Sequence, residues 1–135
     1  MKKILLVVLI GIFGVNACKA QKKIYQCYAN DKNSKNMIST ILDANYSVIA
    51  VYYKGQKVAI NLTFVKEEME TNGAHPTSYS YYKEIIDGKV TGIYVFIHSG
   101  IWDYIQYTNK KSKKTTSYTM TDFSRENFES SKPCF

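Results

Sequence analysis

The sequence predicts an all-β fold: a single antiparallel meander of about eight strands, a small barrel or sandwich, closed by a terminal disulfide. Three observations carry that prediction. Apolar and polar residues alternate at the period of two expected of strands buried on one face. Short turn signals separate these segments and leave room for little but hairpins. Two cysteines, Cys27 and Cys134, stand near the ends of the part expected to fold.

Residues 1–20 read as an export signal. Met1-Lys2-Lys3 is positive, Ile4 to Val15 is an apolar run of twelve residues, and Asn16-Ala17-Cys18-Lys19-Ala20 follows as a short segment of mostly small residues. The run is too short for ~30 Å of hydrocarbon, which needs roughly 20 residues. Two cuts remain open. Val15-Asn16-Ala17-Cys18 resembles the lipobox of bacterial lipoproteins. Cleavage before Cys18 would make it the acylated N-terminus, a lipid anchor facing the periplasm or cell surface. Cleavage before Gln21 would release a soluble periplasmic or secreted protein. Either cut leaves Cys27 and Cys134 as a pair in an oxidising compartment, where disulfides persist.

Residues 21–135 suffice for one modest domain. Without Lys2, Lys3 and Lys19, the 18 basic residues become 15 against 11 acidic ones, and the net charge falls from +7 to +4. It becomes +5 if Lys19 stays behind Cys18. A nucleic-acid partner is excluded on this balance, because its electrostatic footprint is a clustered excess of positive charge. All twelve tyrosines fall in this part, and tyrosine suits the half-buried surface of a sheet.

The strands follow in order. Ile24 to Ala29 carries Cys27, Asp31 to Asn36 is a loop, and Met37 to Leu42 is a strand or a short helix. Tyr46 to Tyr53 turns through Lys54-Gly55-Gln56 into Lys57 to Val65, where Val58, Ile60, Leu62 and Phe64 share the face expected to meet the core. Lys66 to Ser78 reads as a loop with Glu67, Glu68 and Glu70 solvated. Tyr79 to Ile86 and Lys89 to Ile97 flank Asp87-Gly88, the strongest hairpin signal of the chain. His98-Ser99-Gly100 turns into Ile101 to Thr108, and Asn109 to Lys114 turns into Thr115 to Phe123. The tail from Ser124 to Phe135 has no clear period, and the disulfide is expected to pin it against the first strand.

No motif names a reaction. His75 and His98 have no second ligand at a zinc spacing, and no cofactor is implied. His98-Ser99 near Asp103 is a turn, since neighbours on a strand point to opposite faces and no nucleophile elbow surrounds the serine. Glu84 and Asp87 are further carboxylates, with no convergent pair evident. Trp102 can serve as a core anchor or stand on the surface.

Two surfaces are candidates. Lys110, Lys111, Lys113 and Lys114 crowd one hairpin tip, which could meet lipid headgroups, cell-wall polymers or an acidic partner. They could equally serve to discourage strand-edge pairing. Tyr52 with Tyr53, and Tyr81 with Tyr82, are adjacent pairs, so at least one of each should face outward, either as an adhesive ring or simply as a strand-forming residue that covers neighbouring backbone.

Tyr25-Gln26-Cys27 near the start and Cys134 near the end resemble in outline the small exported inhibitors of c-type lysozyme. Those proteins are compact β-barrels with a cysteine near each end, and many are lipoproteins. Their Ser-rich, Gly-Arg-Tyr and Trp-x-Lys-Gly segments are absent here, so no inhibitory residue carries over. The expectation is an exported cell-envelope or secreted β-domain, non-enzymatic and monomeric, that binds a protein, polysaccharide or lipid surface. A small-ligand carrier with a cavity inside the barrel is the alternative, and a lysozyme-inhibitor-like protein a further one.

Overall fold

The computed structural model describes residues 20–135. Residues 1–19, with Cys18 and nearly all of the segment expected to be an export signal, lie outside the described residues.

Eight strands form a closed barrel in which each pairs antiparallel with its neighbours in sequence: β1 (Ile24–Asn30), β2 (Met37–Leu42), β3 (Val48–Tyr53), β4 (Ile60–Glu70), β5 (Thr77–Ile86), β6 (Lys89–Ser99), β7 (Trp102–Asn109) and β8 (Thr115–Met120). Asp87 at φ 50° and Gly88 at φ 73° both take the left-handed region, as the two-residue turn between β5 and β6 requires. Of the two expected alternatives, the barrel is the one formed.

Inside, one residue from each strand meets in a belt: Tyr28, Ile38, Val51, Leu62, Tyr82, Tyr94, Ile105 and Tyr118. An eight-stranded barrel is just wide enough for side chains to fill. Four of the eight are tyrosines, which supply bulk across the lumen and still carry a polar tip.

β4 departs from its expected pattern. Of the four residues expected on the core face, Leu62 is buried and Ile60 packs against the core, while Val58 is 75% and Phe64 55% exposed. Val58 precedes the strand. Beyond Phe64, pairing with β5 passes from Phe64↔Tyr82 to Lys66↔Tyr81. That bulge skips Val65 and ends the simple alternation. The strand then runs on through Glu67, Glu68 and Glu70, so the segment expected as a loop is strand, and the real connection is residues 71–76. β4 meets β3 only at Ala50↔Asn61 and Val51↔Ile60. Its farther half is therefore an edge.

The tail is ordered by local chemistry the period analysis passed over. A short helix α1 (Asp122–Glu126) is capped by Thr121, whose hydroxyl accepts from the Ser124 amide at 3.3 Å. Ser124 is fully buried, and its Oγ accepts from the Cys27 amide at 2.7 Å. The tail then follows β1, with the Tyr25 amide donating to the Ser130 carbonyl at 2.8 Å. Cys27 and Cys134 are joined as expected, across 107 residues. A loop of that order stabilises a fold by ~2–5 kcal/mol. Trp102 is not in the core: it is 44% exposed and lies under the Arg125 guanidinium at 4.5 Å.

Candidate functional site

In an up-and-down barrel, alternate connections share an end. The connections 31–36, 54–59, 87–88 and 110–114 therefore lie together, and 43–47, 71–76 and 100–101 lie at the opposite end. The two ends differ in charge.

The first end carries Lys32, Lys35, Lys54, Lys57, Lys89, Lys110, Lys111, Lys113 and Lys114, all exposed. Asp31 and Asp87 are the exposed acids among these connections. No lysine or arginine occurs in the three connections of the other end. The tip expected from the sequence is thus one part of a larger basic surface. Its backbone is held in place: Asn109 Oδ1 accepts from the amides of Lys111 at 3.0 Å and Ser112 at 2.9 Å. The Lys110 amide donates to the Thr91 carbonyl at 2.9 Å, tying the tip to β6. Exposed Val58, Ile85 and Ile86 line a shallow hollow beside Lys57.

Behind the lysines, a buried carboxylate fills the lumen. Glu84 is 4% exposed and accepts from Thr91 Oγ1 at 2.6 Å, Tyr94 Oη at 3.0 Å and Tyr107 Oη at 3.0 Å. Tyr94 and Tyr53 share a further hydrogen bond at 2.6 Å. Among the described residues the ion pairs involve other groups, so hydroxyls alone satisfy this carboxylate. Burial pushes the Tyr53 and Tyr94 phenols well above the usual tyrosine range. The sequence contained no direct sign of this cluster, because its members meet only across strands.

The tyrosine pairs split between the two faces of the sheet. Tyr53 and Tyr82 point inward, against or within the core. Tyr52 stacks on Phe135 with ring centroids 5.6 Å apart, and Tyr81 lies under the Lys66 ammonium at 4.7 Å. Both outward rings are thus partly covered by this chain's own side chains.

The opposite end opens into a cavity of about 320 Å³. Gln26 and Tyr28 from β1, Tyr82 from β5, and Phe96 and His98 from β6 are among its lining residues. Ser78, His98 and Asp103 stand in register across β5, β6 and β7, with His98 Nδ1 and Asp103 Oδ1 at 2.8 Å. That row resembles a nucleophile–base–acid order, in which no Ser78–His98 hydrogen bond forms among the described residues. Ser99 faces away and bonds Thr77 at 2.8 Å. Among the described residues, no group of three His, Cys, Asp or Glu side chains could hold a metal ion. No known protein family, curated protein or solved structure matches the chain.

Proposed function

We propose that this chain is an exported, non-enzymatic β-barrel of the cell envelope that docks on an anionic lipid surface through its lysine-bearing end. The observation that carries the reading is the convergence of nine exposed lysines, eight from three separate connections and Lys89 from the start of β6, on one end of the barrel. Each lysine near an anionic membrane contributes ~1 kcal/mol, so several acting together support reversible binding. Val58, Ile85 and Ile86, exposed among the lysines, favour lipid over a hydrophilic polymer, since apolar side chains gain by entering the headgroup boundary.

Orientation links this reading to the signal. β1 begins at the cavity end, where Ile24 pairs with Leu42. Residues 19–23 reach at most about 18 Å, at ~3.6 Å per residue. Acylated Cys18 would therefore hold the cavity end toward the bilayer and turn the lysines away. Docking by the lysine end goes with cleavage before Gln21, and intact mass of the exported protein should show a chain starting there.

The decisive experiment is co-sedimentation with vesicles of phosphatidylglycerol mixed into phosphatidylcholine, against phosphatidylcholine alone. Binding is expected only with the anionic lipid, weakening as salt rises. Replacing Lys110, Lys111, Lys113 and Lys114 with Glu should abolish it while leaving the circular dichroism spectrum unchanged. Equal binding by the folded reversal variant would overturn the proposal.

A further inference from the structure

We infer that the cavity at the other end binds a small neutral molecule with an apolar, ring-like body and one hydrogen-bond acceptor, such as a ketone, ester or amide carbonyl. Three observations meet there. Gln26 is 4% exposed and sits on the cavity wall. Its Oε1 accepts from Tyr28 Oη at 3.3 Å, whereas Nε2 has no partner among the described residues. A buried amide donor without an acceptor is costly, and native interiors rarely leave one. A ligand carbonyl would satisfy it.

Apolar and aromatic side chains make up much of the remaining wall. Tyr82 and Phe96 meet edge to face with centroids 5.2 Å apart, and Leu42 and Val48 also line the cavity. At about 320 Å³ the space lies at the lower end of the ~300–1,000 Å³ typical of small-molecule sites. It suits one ring with a short substituent. Barrels of eight strands hold ligands of this kind where the belt of side chains stops short of the mouth.

Charge selects against anions. The Asp103 side chain, 19% exposed, borders the same cavity beside His98. A carboxylate or phosphate ligand would share the cavity with that carboxylate and be repelled by it. The neutral acceptor satisfies Gln26 without that repulsion. This site is remote from the lysine end, so it stands whether or not the barrel docks on lipid.

The test is a nitrogen-edited NMR titration of the exported protein with three probes of similar shape: acetophenone, ethylbenzene without the acceptor, and benzoate with a negative charge. Acetophenone is expected to saturate and to shift the Gln26 side-chain amide signals. Benzoate should not saturate. In Gln26→Leu, the ratio of acetophenone to ethylbenzene affinity should fall about tenfold. Saturation that leaves the Gln26 amide unmoved would overturn the inference. So would cross-relaxation showing only water in the cavity at the highest acetophenone concentration. Should Gln26→Leu fail to fold, the three probes on the native chain decide the matter alone.

Discussion

The ring of Tyr107 occupies the space that a side chain at Gly92 would need: a Cβ built there would lie 2.7 Å from Tyr107 Cζ and 2.6 Å from its Oη. Gly92 pairs with Glu84 on one side and Asn109 on the other. The ring crosses the bare β6 backbone and brings its hydroxyl to Glu84. Glycine is required here by close approach rather than by a left-handed backbone. Gly92→Ala should cost about 1–3 kcal/mol, as overpacking in a core does. Tyr107→Ala removes the obstacle, so the double variant should lose less than the sum of the singles in urea denaturation. Strict additivity would show that the ring and Gly92 are not coupled.

Glu84 tests the logic of a buried polar cluster. Glu84→Leu takes the acceptor from Thr91, Tyr94 and Tyr107; Tyr94 keeps its bond to Tyr53, and the other two hydroxyls are left facing a methyl-bearing chain. Each orphaned hydroxyl costs about 1–3 kcal/mol, so a loss of about 2 kcal/mol or more is expected. Adding Thr91→Val and Tyr107→Phe removes both orphans. That triple variant should recover much of the loss, since replacing both partners by apolar groups is often near neutral. A triple variant weaker than Glu84→Leu would mean the hydroxyls have partners other than the carboxylate.

Alkaline pH should expose the interior tyrosines as a group. Burial raises the phenols of Tyr28, Tyr53 and Tyr94 above their ordinary value of 10.0, with the nearby Asp103 carboxylate adding to the effect at Tyr28. A phenol whose pKa is higher folded than unfolded contributes stability in full below pH 10, and loses it as pH rises above that value. Phenolate absorbance should therefore rise in two stages, with the second coinciding with loss of circular dichroism. A smooth rise with the spectrum retained would place these hydroxyls in contact with water.

The part of the fold legible in the sequence was the part that depends on local rules. Asp87-Gly88 announces its turn because two consecutive left-handed residues are a local demand. Cys27 and Cys134 are a pair by counting alone. Phe64 misleads because it keeps the face of Leu62, with its ring edge to face on Tyr82 at 5.5 Å, yet is exposed where β3 no longer pairs with β4. Nothing in Leu62-Thr63-Phe64 itself marks where two strands part. Glu84 lies eight and ten residues from Gly92 and Tyr94 in sequence but beside both in space. The lysine end was partly within reach: once a meander is assigned, connections 31–36, 54–59, 87–88 and 110–114 must share an end, and their lysines can be counted. The cavity was not, because it depends on where the belt of side chains stops.

The free edge of β4 gives the last expectation. Between Thr63 and Glu70 the strand pairs with β5 on one side, while its registered contacts with β3 end at Asn61. Alternate amides on the open side face water, so hydrogen exchange should be faster over 63–70 than over the β5–β6 hairpin, whose strands are paired along their length. Exposed Phe64, Val65 and Met69 would make such an edge adhesive to another copy. Lys66, Glu67, Glu68 and Glu70 interrupt it with charge, and a second chain adding there would bring like charges together at close range. Glu67→Thr, Glu68→Thr and Glu70→Thr together remove three negative charges and raise β-propensity at the same positions. That variant should form concentration-dependent oligomers in light scattering, while the native chain stays monomeric and the fold below the bulge is unchanged. A monomeric triple variant would mean that the geometry of the bulge, rather than its charges, keeps the edge unpaired.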